Sequence, residues 1–349
     1  MLLQLNIFLR SAIAIILIAG FFMMAVRAEA KGDPVELIIL ETMVLEAIQE
    51  RTAAVRKRLA EIDLRQGETV NIRVLNALKD KTKGMAMLRA AIAEKKPDLV
   101  ITVATVATQA GREVLKGTDI PQVFLFVSDP VGAKVIDSVG RPSNSNIAGH
   151  VHMLPRDIHL NMIMRLITSI DAKRPLRFGL LYSDYPSSLS MKNKILAAAE
   201  QRGDVIIHAY EIKQRPMTTG LSHMLEDAKA GLRELEAKAD YIWLGEGPLG
   251  RNAAFVKQTL HLANKPVIAG ASMEGARAGI LIALDSSPED DAREAVILVN
   301  AILRGQNPGE IPIMRTSSYR IGINLGTART LGVEVPPDLL ANANRDLYW

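Results

Sequence analysis

Residues 97–131 read PDLVITVATVATQAGREVLKGTDIPQVFLFVSDPV, and this stretch decides the fold class. Leu99 to Val103 is a short β-branched run behind Pro97 and Asp98. A strand so uniformly apolar is one buried on both faces, the habit of parallel sheets. Ala104 and Thr105 then form a turn, Thr105 is the candidate N-cap, and residues 106–115 carry apolar side chains at helical spacing with Gly117 just beyond. A second strand, residues 123–127, closes on Ser128-Asp129-Pro130 at the same edge of the sheet. Open α/β sheets bind ligands at that edge, the carboxyl ends of their strands.

Outward from this stretch the alternation continues. Upstream, residues 35–40 and 70–75 read as strands and 45–62 and 85–94 as helices. Downstream, the polar run Arg141-Pro142-Ser143-Asn144-Ser145-Asn146 breaks the pattern and marks a boundary. Helices at 156–169, 188–201, 221–237 and 252–263 then alternate with strands at 178–182, 205–210, 241–244 and 267–269. A strand at 280–284, a helix at 288–305, and a terminal segment with Ile321-Gly322-Ile323-Asn324 and a Pro336-Pro337 helix start complete the chain. The order implies two α/β domains, each a parallel sheet with helices on both faces.

With 349 residues, 48% hydrophobic and 23% charged, the chain is long enough for two such cores. The net charge of +4 falls to +3 without Arg10, Arg27 and Glu29, and no basic stripe with interleaved aromatics points to nucleic acid. Zero cysteines exclude disulfides, thiolate metal sites, a lipid-modified cysteine and a cysteine nucleophile together. At the N-terminus Arg10 precedes an apolar run over 11–26, followed by Ala28-Glu29-Ala30. This reads as a signal peptide, residues 1–30, cleaved after Ala30 to release a periplasmic protein, with an uncleaved membrane anchor as the rival reading.

PDLVITVATVATQA, IPQVFLFVSDPVGAKVI, Asn146-Ile147-Ala148-Gly149, KPVIAG and INLGTARTLGVEVPPDLL stand in order across nearly all of the chain past residue 30. In these segments the sequence resembles the ABC transporter substrate-binding proteins of the tryptophan/tyrosine type, within the type I periplasmic binding fold. The resemblance implies two Rossmann-like lobes joined by a hinge of several crossings, near 147–151, 275–279 and 312–316, with a small ligand clamped between them. Lobe one would take residues 31–149 plus 280–310, and lobe two residues 150–279 plus 311–349. It further implies ABC permease and ATPase subunits as partners, a monomer, no cofactor and no reaction of its own. Two departures sit where that family lines its site. Glu41-Thr42-Met43-Val44-Leu45-Glu46 replaces a His-Pro-Ala-Leu-Asp-like segment, and Gly245-Glu246-Gly247-Pro248 replaces an aspartate and asparagine. Both put the family's usual aromatic amino-acid ligand in question.

The candidate ligand contacts follow from these positions. The helix start at Thr105-Val106-Ala107-Thr108-Gln109 offers free N–H groups, the positive end of the helix dipole and two hydroxyls, a setting for a carboxylate. Thr42 follows the first strand, and Ser128 and Asp129 the strand after the helix, where an acid can accept an ammonium group. On the second lobe the loop after residue 182 offers Tyr182 as a ring against the ligand and Ser187 or Ser188 as a helix cap. Glu246 and Glu274 are acids at strand ends, and Asp285 follows the strand that crosses back. His150, His152 and His159 lack an acid cluster at ligand spacing, and the glycines at 245–250 are interrupted by Pro248, so neither a metal nor a dinucleotide is expected. A ligand sensor for a membrane signalling partner and an exported α/β enzyme remain as alternative functions.

Overall fold

In this computed structural model, which describes residues 33–316 and 318–349, two α/β lobes face each other. The expected signal peptide lies outside the described residues. Among those residues no helix is long and apolar enough to cross a membrane.

The first sheet holds β1 (Val35–Glu41), β2 (Val70–Asn76), β3 (Leu99–Val103), β4 (Gln122–Val127), β5 (Ile147–Val151) and β11 (Met314–Arg315), in the order β11-β5-β4-β3-β1-β2 and parallel throughout. Alternate residues of β1 and β3 serve opposite faces, as the period of two requires. Leu37, Ile39, Leu99, Ile101 and Val103 join a core with α1 (Glu46–Glu61) and α9 (Pro288–Leu303), whereas Ile38, Leu40 and Val100 join one with α2 (Lys81–Glu94) and α3 (Thr105–Leu115).

The second sheet runs β13-β12-β10-β9-β8-β6-β7. Its strands are β6 (Leu176–Ser183), β7 (Val205–Ile212), β8 (Tyr241–Leu244), β9 (Val267–Gly270), β10 (Ile282–Asp285), β12 (Arg320–Asn324) and β13 (Leu347–Tyr348), and all pair in parallel except β10 with β12. One face packs on α4 (Arg156–Ile167) and α5 (Pro186–Arg202), the other on α6 (Met217–Glu236) and α7 (Ala253–Leu262). Three short helices, α8 (Met273–Ala278), α10 (Leu325–Leu331) and α11 (Pro337–Ala343), close this lobe.

The two-lobed parallel architecture matches the sequence-based expectation, but the division of the chain differs from it. Strand β10, expected in lobe one with 280–310, hydrogen-bonds to β9 and β12 and belongs to the second sheet; α9 alone of that region's main elements returns to the first core. Strands β5 and β11, expected at or beyond the boundary, both lie in the first sheet. The polar run at 141–146 is therefore a loop inside lobe one, where Asn146 Nδ2 donates to the carbonyls of Leu115 and Ile120 at the end of the α3 turn. The small residues near Gly275–Gly279 shape the end of α8 within lobe two, Gly279 having φ 129°. The chain crosses between lobes after β5, between β10 and α9, and between β11 and β12.

Candidate functional site

The carboxyl ends of β1, β3 and β4 face those of β6 and β8 across the cleft. At the start of α3 the chain turns through Ala104 at φ 69°, a region that side chains with a Cβ rarely adopt, and Ala104 supplies no side-chain cap. Thr42, just past β1, caps the helix from outside: its Oγ1 accepts from Ala107 N at 2.9 Å and donates to Val103 O at 3.0 Å. The N–H groups of Thr105 and Val106, in the first turn, have no acceptor within the helix. A second irregularity lies on the neighbouring strand of the same sheet. The register of β4 against β5 shifts between Phe124 and Val127, and Phe126 has φ 59°. Its ring receives the Arg51 guanidinium at 3.6 Å and that of Arg251 at 4.9 Å, with the His152 ring at 4.5 Å. Two strained, non-glycine residues thus flank one cleft, which is where folds keep strain that serves a purpose.

Between them lies a cavity of about 40 Å³. Ala104, Thr105, Phe126 and Ser128 line it from lobe one, and Tyr185, Ser187, Glu246, Gly247 and Arg251 from lobe two. Tyr185, the residue before α5, is 8% exposed and sends its ring across the cleft into the apolar core of lobe one. Its hydroxyl is buried without a hydrogen-bond partner, and burial pushes the phenol well above its ordinary pKa. Glu246 is held by a bidentate pair with Arg156, whose Nη2 donates to Oε2 at 2.7 Å. The following Gly247 has φ 108°, and a Cβ there would lie 2.1 Å from Ser188 Oγ. Arg251 is likewise paired bidentately with Asp285, at 2.6 and 2.8 Å.

Behind the cavity a buried polar chain runs toward the lobe crossings. Ser128 Oγ lies 3.1 Å from His152 Nε2, and His152 Nδ1 lies 3.4 Å from Ser286 Oγ, which donates to Asp291 Oδ2 at 2.6 Å. Arg51 Nε donates to the same Asp291 oxygen at 2.7 Å, and His150 Nε2 sits 3.3 Å from the other. Burial holds the His152 pKa far below the usual imidazole value, so the ring is neutral. For Asp291 burial opposes ionisation, but Arg51 and the His150 contact outweigh it and hold the carboxyl well below the usual range.

Of the residues expected to bind, Thr105, Ser128, Ser187 and Glu246 meet at this cavity. Thr42 stands behind it as a cap, and Ala107 presents its N–H to Thr42. Thr108 was expected to offer its hydroxyl to the ligand, but the side chain is fully buried, donating to Ala104 O at 2.8 Å beside Thr102. Gln109 turns away to Ala133 O. Asp129 points into a neighbouring gap, where Lys194 Nζ approaches at 2.6 Å and Ser190 Oγ donates to it. Tyr182 bonds Glu211 on β7, and Ser188 bonds the carbonyl of Glu246 without capping α5. Glu274 lies in a larger cavity of about 480 Å³ on the far side of Arg251, beside Arg277. The sequence does not single out Tyr185, Phe126 or Arg251 and raises His152 only as a metal ligand to set aside, yet all four line the cavity. Tyr185 carried a usable signal, since it directly precedes a proline at the first position of a helix whose strand ends at the cleft.

The chain matches the family described as ABC transporter substrate binding protein over residues 38–346. No curated protein sequence matches it. Among solved structures, an ABC domain from Streptococcus pneumonia in complex with L-Trp aligns with a TM-score of 0.73 at 19% identity, covering 91% of this chain and 100% of that one. A conserved domain protein from Vibrio cholerae O1 biovar El Tor aligns at 0.72 and 20% identity with the same coverage. An ABC sugar transporter subunit from Rhodobacter sphaeroides aligns at 0.59 and 13%, covering 83% and 98%. At these identities the likeness is one of fold.

Proposed function

The chain belongs to the ABC transporter substrate-binding protein family, and on that premise we propose that it is the extracytoplasmic receptor of an importer, clamping a small carboxylate-bearing ligand such as an amino acid between its lobes. The observation that carries this reading is the convergence of the start of α3, whose first two N–H groups have no acceptor within the helix, with the Tyr185–Ser187 and Glu246–Gly247 loops on one cavity. Helix N-termini favour anions through free N–H donors and the dipole. A cavity of about 40 Å³ holds little more than a single polar group, so a whole ligand enters by opening of the lobes, and closure then buries it. Closure also creates the surface that the permease and ATPase assembly would read. The protein itself binds and releases, with no bond made or broken.

The test is thermal melting of the purified protein with L-tryptophan, L-tyrosine, L-leucine and L-glutamate, each beside its amide, and with glucose and galactose. A ligand at 100 times its Kd stabilises by about 2.7 kcal/mol, enough to raise Tm by several degrees. At least one free acid is expected to do so while its amide does not. A shift with the sugars alone, or with none of the probes, overturns the carboxylate reading.

A further inference from the structure

We infer that the Tyr185 hydroxyl is the second lobe's contact to the ligand's carboxylate, completing a site whose other donors belong to the start of α3; the inference rests on the carboxylate reading above. Three observations carry it. The hydroxyl is buried in a residue only 8% exposed, yet no group of the protein bonds it. Such a group costs stability until something bonds it, so its retention beside a cavity points to a partner that arrives from outside. Second, Tyr185 lines the same cavity as Ala104 and Thr105, where the Thr105 and Val106 N–H groups lack helical acceptors. Third, the negative groups nearby are spent: Glu246 is held bidentately by Arg156, and Asp285 by Arg251. The cavity therefore holds no unpaired negative charge, and the guest that satisfies the α3 N–H groups and the Tyr185 hydroxyl from both lobes at once is an anionic oxygen group. Because Tyr185 comes from lobe two and α3 from lobe one, one carboxylate bridging them would couple binding to closure. Thr108, which looks the better hydroxyl in the sequence, is already bonded inside lobe one.

The test is Tyr185→Phe, which keeps the ring in its apolar setting and removes one oxygen. Affinity for each free acid that binds the wild type, L-tryptophan, L-tyrosine, L-leucine or L-glutamate, is measured by titration calorimetry alongside the ligand-free Tm. The expected result is a loss of about tenfold or more in affinity with a ligand-free Tm equal to or above that of the wild type. A purely structural tyrosine would move both readouts down together. Unchanged affinity for an acid that the wild type binds overturns the role of Tyr185 and leaves the carboxylate reading standing. A lowered ligand-free Tm shows that the hydroxyl has a partner without ligand and overturns it as well. If no acid binds the wild type, the carboxylate reading falls first and this inference with it.

Discussion

At Thr42 a single hydroxyl joins two elements, accepting from Ala107 N and donating to Val103 O, and so sets the height of α3 over the sheet. Thr42→Val keeps the shape but strands a buried N–H, and the expected cost is about 1–3 kcal/mol, read as a lower urea midpoint at unchanged slope. The sequence located this region but not its side chains. Residues 105–109 were legible as a helix start at the binding edge because a β-branched strand runs into them. Which of them face the cleft depends on the rotational phase of the helix, and that phase is set by Ala104 at φ 69°, a conformation for which alanine gives no hint. For the same reason the sequence points to Tyr182 and not to Tyr185: both lie near the end of β6, and the fold turns Tyr182 to Glu211 while Tyr185 crosses to the other lobe.

Among the elements, α9 ties the two halves of the chain together. It packs on the first sheet, yet its first turn reaches the crossings: Asp291 accepts from Arg51 of α1 and from Ser286, and Asp290 accepts from Ser318. Asp291→Asn leaves the buried Arg51 short of a charge, and breaking one side of such a buried pair is expected to cost about 3–5 kcal/mol in chemical unfolding. The pH dependence has a definite sign. A carboxyl whose folded pKa is depressed contributes stability that is fully present above its ordinary value and fades as pH falls through the lowered one. The difference in stability between wild type and Asp291→Asn should therefore be constant near neutrality and shrink only in strong acid; a difference that already shrinks between pH 7 and 5 would contradict this assignment. Most strands and helices were legible to within a few residues, because parallel strands read as unbroken apolar runs. The lobe to which β10 belongs was not: its apolar run does not say which sheet it joins, and only its hydrogen bonds to β9 and β12 separate it from α9, which packs on the first sheet as expected.

For the whole molecule, lobes linked by three crossings are expected to move as bodies, and Asp129 of lobe one meets the α5 residues Lys194 and Ser190 of lobe two at the cleft's rim, a contact placed to restrain that motion. Burial works against the Asp129 charge, but Lys194, Ser190 and the Gly132 N–H together hold the carboxyl below its usual range. The contact is thus expected to hold above that range and to weaken as pH falls through the lowered value. Asp129→Asn is expected to enlarge the radius of gyration of the ligand-free protein in small-angle scattering at pH 7 and to weaken its dependence on salt; identical curves for both proteins would show that the pair does not restrain the lobes. The crossings carry a further consequence for how the chain is made. Lobe one lacks α9, the helix over one face of β1 and β3, until synthesis has passed Leu303, and lobe two waits for β12 and β13 at the very end. Each lobe is thus completed by a segment that follows most of the other lobe in sequence, so the last packing steps of the two are expected to be coupled.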